Sequence, residues 1–230
     1  MAMEHTVKSF SEELSDLKTL IRDMGALARE QVAAAVKALV DRDAVRAQAI
    51  VEKDRVIDDL HMHVRSTVRN ILARRQPVAK DLRQIVACER MATDIERIGD
   101  HAKNIAKRSM LLTDRLPPAA LAGIIQLSGN VQPALETVLA AFEHADPEAA
   151  LRAWQRDQSL DHIFNTLFGE IIALMREDPS QVASGTHLLF MAKGLERIGD
   201  HATNMAEEIV YWATGQVVTA ERPKADLNQP

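Results

Sequence analysis

The chain has one cysteine, Cys88. That leaves no pairing for an internal disulfide framework and too few thiols for a cysteine-based zinc site; a reducing compartment fits this usage. Aromatic residues make up 3% and glycine and proline together number 17, where strand-rich folds draw on aromatics and many turn residues. An all-β sandwich is therefore not expected. The N-terminal MAMEHTVKSF has no apolar stretch of the secretory kind. The longest uncharged run, residues 116–135, is interrupted by Pro117, Pro118, Gly123, Gly129 and Pro133 and carries Gln126, Asn130 and Gln132. It is too polar and too broken to span a bilayer, so no membrane insertion is expected. A net charge of −5 offers no basic footprint for nucleic acid.

What is present is the vocabulary of helices. Hydrophobic residues make up 47% of the 230 positions and charged residues 27%, enough for a packed core and rich in Ala, Leu, Ile, Arg and Glu. Leu14, Leu17, Ile21, Met24, Ala28, Val32, Val36 and Leu39 step by three and four, the period of one helix face. A second helix is expected after Asp43, an N-cap residue, running to Arg75 before Pro77; a third covers 78–112. Pro117 and Pro118 open a fourth that ends near His144. Asp146-Pro147 and Asp178-Pro179 each read as an N-cap followed by proline at the first helical position, opening a fifth and a sixth. Residues 215–230 lack periodicity and read as a loose tail. Six long helices with short loops imply up-and-down antiparallel packing.

The chain repeats itself. MATDIERIGDHAKNIA at 91–106 and MAKGLERIGDHATNMA at 191–206 agree at 11 of 16 positions. Upstream, Asp43, Asp54 and Asp58 correspond to Asp146, Asp157 and Asp161 at an offset of 103. The fold expected is thus all-α: two tandem, duplicated three-helix bundles over 5–114 and 115–214, followed by the tail.

Each half carries two acidic pairs at i, i+4: Asp54/Asp58 and Glu96/Asp100 in the first, Asp157/Asp161 and Glu196/Asp200 in the second. Residues four apart share a helix face, and like charges there repel by about 0.2–0.5 kcal/mol per pair. Four such pairs in repeat register ask for a reason. Stepping about 100° per residue from Glu96 puts Asp100 and Asn104 on one side. Ile95, Ile98, Ala102 and Ile105 fall on the other, so the carboxylates are expected on an outward ridge. Hard oxygen ligands without cysteine suit Mg²⁺, Mn²⁺, Ca²⁺ or ferric iron; a solvated acidic face is the plainer alternative. The Glu-x-x-His pattern of buried di-iron bundles is absent, since His101 and His201 follow Glu96 and Glu196 by five.

Other residues carry lesser expectations. Gly99 and Gly199, mid-helix at the core edge, mark close helix approach. His101 and His201 read as interhelical hydrogen-bonding groups, Arg97 and Arg197 as partners of nearby acids, and Cys88, aligned with Leu188, as a buried inert thiol. Glu89 and Asp94 align with Leu189 and Gly194 and have no repeat support as ligands. Residues 52–115 hold 14 basic and 10 acidic side chains, a net +4; residues 155–215 hold 4 and 9, a net −5. Unlike faces on a duplicated scaffold suit two different partners or head-to-tail self-association.

The two LERIGDHA-type segments, the Asp-xxx-Asp upstream of each and the doubled six-helix plan resemble the PhoU family, over about residues 5–213. The resemblance implies a non-enzymatic cytoplasmic regulator of phosphate homeostasis. Such a protein damps phosphate uptake and phosphate-starvation signalling by binding the ATPase subunit of the phosphate ABC transporter and the phosphate-sensing histidine kinase. It also implies a homodimer and metal ions (iron, manganese, magnesium or zinc) held by oxygen ligands, the motifs mapping onto Asp54, Asp58, Glu96, Asp100, Asp157, Asp161, Glu196 and Asp200. A carboxylate-bridged metal enzyme on a helical bundle is the alternative reading; no Ser/His/Asp set or Gly-rich phosphate loop supports it.

Overall fold

The computed structural model describes residues 2–112 and 117–219, with the side chains of the first helix described from residue 9 onward. Residues 220–230 of the expected tail lie outside the described residues. Among the described residues there are helices and no strand: α1 (Ala2–Asp41), α2 (Ala44–Arg75), α3 (Ala79–Ser109), α4 (Pro118–His144), α5 (Pro147–Gln155), α6 (Asp157–Glu177) and α7 (Val182–Thr214), with a single 3₁₀ turn at Pro179–Gln181 before α7.

The first turn of each half is built the same way from different residues. Asp43 accepts a hydrogen bond from the Arg46 N–H at 2.9 Å. Asp146, its counterpart, accepts from the N–H groups of Glu148 and Ala149 at 3.0 Å, in each case satisfying donors that the first helical turn leaves unpaired. The residue just before each aspartate, Arg42 (φ 55°) or Ala145 (φ 51°), is left-handed. The aspartate N–H then reaches back to Ala38 O or Ala141 O, both at 2.9 Å. These bonds consume the free carbonyls of the preceding helix and reverse the chain.

The fifth helix departs from expectation. It is divided at Arg156 into α5 and α6. There Arg156 N–H bonds to Ala153 O at 3.2 Å and Ser159 N–H to Arg156 O at 3.1 Å, the tighter three-residue spacing. The residues on either side are both tied to α7: Trp154 Nε1 donates to Glu207 Oε1 at 2.9 Å, and Thr203 Oγ1 donates to Asp157 Oδ1 at 3.1 Å. A three-residue step brings Trp154 and Asp157 to the same side.

Helices α1, α2 and α3 pack on one another, as do α4, α5, α6 and α7. The central helices α3 and α7 also pack along each other, and α1 against α4. The two bundles are therefore fused: Met24, Ile57, Ile95 and Ile98 belong to the same buried cluster as Ile124, Leu127, Leu195 and Ile198. Each such side chain contributes about 1.5–3 kcal/mol on burial. The expected close approaches are present. A Cβ added at Gly99 would lie 2.8 Å from Ile57 Cδ1, and one at Gly199 2.9 Å from Leu160 Cδ1. Cys88 is buried, and burial pushes its thiol up to about 12, which keeps it protonated and inert.

Candidate functional site

The acidic pairs lie where α2 meets α3 and where α6 meets α7. Gly99 lets α2 approach closely, and Asp54 Oδ1 sits 3.4 Å from where a Gly99 Cβ would be. The expected outward ridge is corrected here. Asp54 is 4% exposed, Asp157 3% and Asp200 8%; Glu96, Asp100, Asp161 and Glu196 are half-buried, and Asp58 alone of the eight is exposed. A helical wheel locates a side chain relative to its own helix. It does not see the neighbouring helix that covers the flank, and these carboxylates line seams.

In the first half the seam holds a cation of its own. Lys103, one turn after Asp100 on α3, places Nζ 2.5 Å from Asp100 Oδ1 and 2.5 Å from Asp54 Oδ2 across on α2. Burial works against the ammonium, but hydrogen bonds to Asp100 and Asp54 and their charges outweigh it and raise its pKa. Asp58 is pushed up by burial and then by the charges of Asp54 and Asp100, and Glu96 by burial and then by Asp100 and Asp58. The four predicted carboxylates of this half thus share one electrostatic site.

The second half is wired differently. The position matching Lys103 is Thr203, whose hydroxyl donates to the buried Asp157. Lys193 Nζ donates to Glu196 Oε1 at 2.7 Å and Arg197 to Asp200 Oδ2 at 3.3 Å. Glu196 Oε2 is buried and finds no hydrogen-bond partner. Burial raises the Glu196 pKa in spite of the Lys193 hydrogen bond, with Asp200 adding to the rise.

Between the halves, the His101 and His201 rings lie 5.8 Å apart. His201 Nδ1 is 2.8 Å from Asp94 Oδ1, which also accepts from Asn204 Nδ2 at 3.2 Å. Burial, then the nearby His201, depresses His101 to about 4, so it is neutral at pH 7. The interhelical hydrogen bond expected of the histidines is made by His201, while His101 meets α7 through the ring of His201; Asp94, without repeat support as a ligand, serves instead as an α3 anchor for α7.

Among the described residues, no three His, Cys, Asp or Glu side chains are grouped so as to hold a metal ion. The two halves nonetheless differ in fit. In the first, the space between Asp54 and Asp100 is taken by an ammonium. In the second, an orphaned carboxylate oxygen beside Asp200 suits a hard cation that takes one or two carboxylates and completes its shell with water. Sequence reasoning missed Lys103, Thr203 and the Asp94 anchor. The signal was there: 103/203 and 94/194 are mismatches within the repeated segment.

Fold and seams together define an all-α protein made of two copies of one three-helix unit, joined through their central helices and lined with carboxylates at matched positions. The PhoU domain family matches residues 21–109 and 124–209, and the chain belongs to that family. It is 44% identical over 225 residues to the "Phosphate-specific transport system accessory protein PhoU homolog" of Caulobacter vibrioides strain NA1000, covering 97% of this chain and 98% of that protein. It is 42% identical to the Rhizobium meliloti protein of the same description, covering 99% and 96%. The crystal structure of PhoU from Pseudomonas aeruginosa superposes with a TM-score of 0.87 at 35% identity, over 90% of this chain and all of that one. The phosphate transport system regulatory protein PhoU from Streptococcus pneumoniae gives 0.86 at 30% identity, over 92% and 100%.

Proposed function

We propose that this chain is an accessory regulator of phosphate-specific transport that acts by binding and carries out no chemistry. The observation that supports this most is the near-full-length similarity to relatives named as accessory proteins of that system. In this reading it works at the cytoplasmic side, as a homodimer, on the ATPase subunit of the phosphate ABC transporter and on the phosphate-sensing histidine kinase. No helix of the described residues is long and apolar enough to cross a membrane.

A regulator of this kind must prefer one state of its partner. Moving a two-state partner from mostly active to mostly silent takes a differential affinity of about 5.5 kcal/mol, and a specific interface of standard size buries about 800 Å² on each side. The described residues expose 12305 Å², so two partners can dock on separate faces. The opposite net charges of residues 52–115 and 155–215 make those faces unlike. In this reading Glu196 and Asp200 of the second-half seam hold a hard metal ion whose shell is completed by water.

The test is genetic and biochemical together. Deleting the gene is expected to raise phosphate uptake and phosphate-starvation gene expression in phosphate-replete medium, with the intact gene restoring both. The purified protein is expected to bind the transporter's ATPase subunit without changing ATP itself. Unchanged uptake and expression after deletion would refute the reading.

A further inference from the structure

We propose that the Lys103 ammonium is the resident cation of the first-half acidic seam, so that this half is closed to divalent metal while the second half is open. The proposal rests on the reading above that the seams attract metal. Both halves supply four carboxylates at matched positions, yet the cations that answer them differ in where they stand. Lys103 is inside: its side chain is 21% exposed and bonds at once to the buried Asp54 across on α2 and to Asp100 on its own helix. A metal entering here would have to displace an ammonium tethered to the same helix, and that ammonium would lose both partners in a half-buried place, a loss far costlier than breaking an exposed pair.

In the second half the corresponding side chain is the neutral Thr203, which cannot neutralise anything. The cations near Glu196 and Asp200 come from outside, Lys193 at 45% and Arg197 at 54% side-chain exposure. Each hydrogen-bonds one carboxylate one turn away on its own helix, and Lys193 also lies 5.1 Å from the centre of the Phe164 ring on α6; neither joins carboxylates of two helices as Lys103 does. Both side chains are about half exposed and can swing into solvent when a metal arrives, Lys193 giving up with its ion pair an exposed cation–π contact worth about 0.5–1 kcal/mol. The buried Glu196 Oε2, without a hydrogen-bond partner, gives such an ion a ligand that nothing else uses. Duplication has thus yielded one half whose seam is locked by a lysine and one whose seam answers to the metal supply.

Mn²⁺ binding followed by electron paramagnetic resonance, with thermal unfolding alongside, tests this on the full-length protein. Four variants are compared with wild type: Asp58→Asn/Glu96→Gln, Glu196→Gln/Asp200→Asn, Lys103→Thr, and Lys103→Thr combined with Asp58→Asn/Glu96→Gln. Neither Asp58 nor Glu96 bonds to Lys103, so the first variant keeps the ammonium bridge. Wild type and Asp58→Asn/Glu96→Gln are expected to bind the same amount of Mn²⁺, and Glu196→Gln/Asp200→Asn to lose it. Lys103→Thr, which installs the residue found in the other half, is expected to gain a further class of bound Mn²⁺ and a metal-dependent rise in Tm. Both gains disappear when Asp58→Asn/Glu96→Gln is added. A fall in bound Mn²⁺ in Asp58→Asn/Glu96→Gln overturns the proposal, whether or not Lys103→Thr folds. So does a folded Lys103→Thr protein that gains no metal. If wild type binds none and Lys103→Thr binds some, the second-half metal site fails while the lock by Lys103 stands.

Discussion

Replacing Gly99 by alanine sets two effects of similar size against each other. Alanine is the better helix former by about 1 kcal/mol in a helix interior. Its Cβ, however, would lie 2.8 Å from Ile57 Cδ1 and 3.4 Å from Asp54 Oδ1. Ile57 is fully buried, so shifting its methyl means moving packed neighbours, and overpacking of this kind costs about 1–3 kcal/mol. The net is a destabilisation of about 1 kcal/mol, against a gain if propensity ruled. Ile57→Val removes the offending methyl and costs about 0.5–1.5 kcal/mol on its own. In that background Gly99→Ala is expected to change sign and stabilise. Gly129→Ala is the control: on α4 it is exposed and no atom lies within 4 Å of its added Cβ, so it should show the propensity gain alone. Urea denaturation of the four-member cycle measures the coupling, with unchanged m-values confirming comparable transitions. If Gly99→Ala stabilises as Gly129→Ala does, or if the cycle shows no coupling, the close approach of α2 and α3 is not what glycine is there for.

Other expectations follow from the same coordinates. Ala145, left-handed at φ 51°, pays the steric penalty of a Cβ at a helix C-terminus, so Ala145→Gly should stabilise by about 0.5–1 kcal/mol in urea denaturation; a loss would mean the turn is not strained there. Cys88 should resist thiol reagents at pH 8 in the native protein and react fully once unfolded. Because its folded pKa, about 12, stands above its unfolded value of about 8.5, its contribution is intact below pH 8.5. It is lost as pH rises from there towards 12, at up to about 1.4 kcal/mol per pH unit. Cys88→Ala should flatten that part of the stability–pH curve, and an unchanged slope would count against the buried thiol as its source.

Much of this molecule is legible in its sequence because local signals and global packing agree. Asp43 and Asp146, each followed by helix formers, mark two turns that the structure closes with the same backbone bonds. The glycines at 99 and 199 predicted close contacts that Ile57 and Leu160 make. What escaped was whatever depends on a second helix. The burial of Asp54, Asp157 and Asp200 follows from neighbours that no single-helix wheel contains. The fusion of the two bundles through α3 and α7 leaves no mark in the apolar period, since a stripe buried against a bundle-mate and one buried against the other bundle look alike. The break at Arg156 is likewise set by contacts from α7 to Trp154 and Asp157, and no proline or glycine announces it.

The agreements and the disagreements within the repeat do different jobs. Positions kept in both halves, such as Gly99/Gly199 and the carboxylates, set helix spacing and build the seams. Positions that differ set the two seams apart: Lys103 against Thr203 exchanges an internal cation for a hydroxyl, and Asp94 against Gly194 gives the central helices a contact, to His201 and Asn204, that has no side-chain counterpart at Gly194. If both seams answered to the same ion, the two halves would respond as one, and a change in metal supply would act on every docking surface together. In the asymmetry proposed above, the lysine holds the first seam whatever the metal supply, and the second seam alone responds to it. Under the proposed function, an adaptor that holds one partner and releases another gains from such a separation, and the proposed source of it is a single side-chain difference, Lys103 against Thr203, at matched positions.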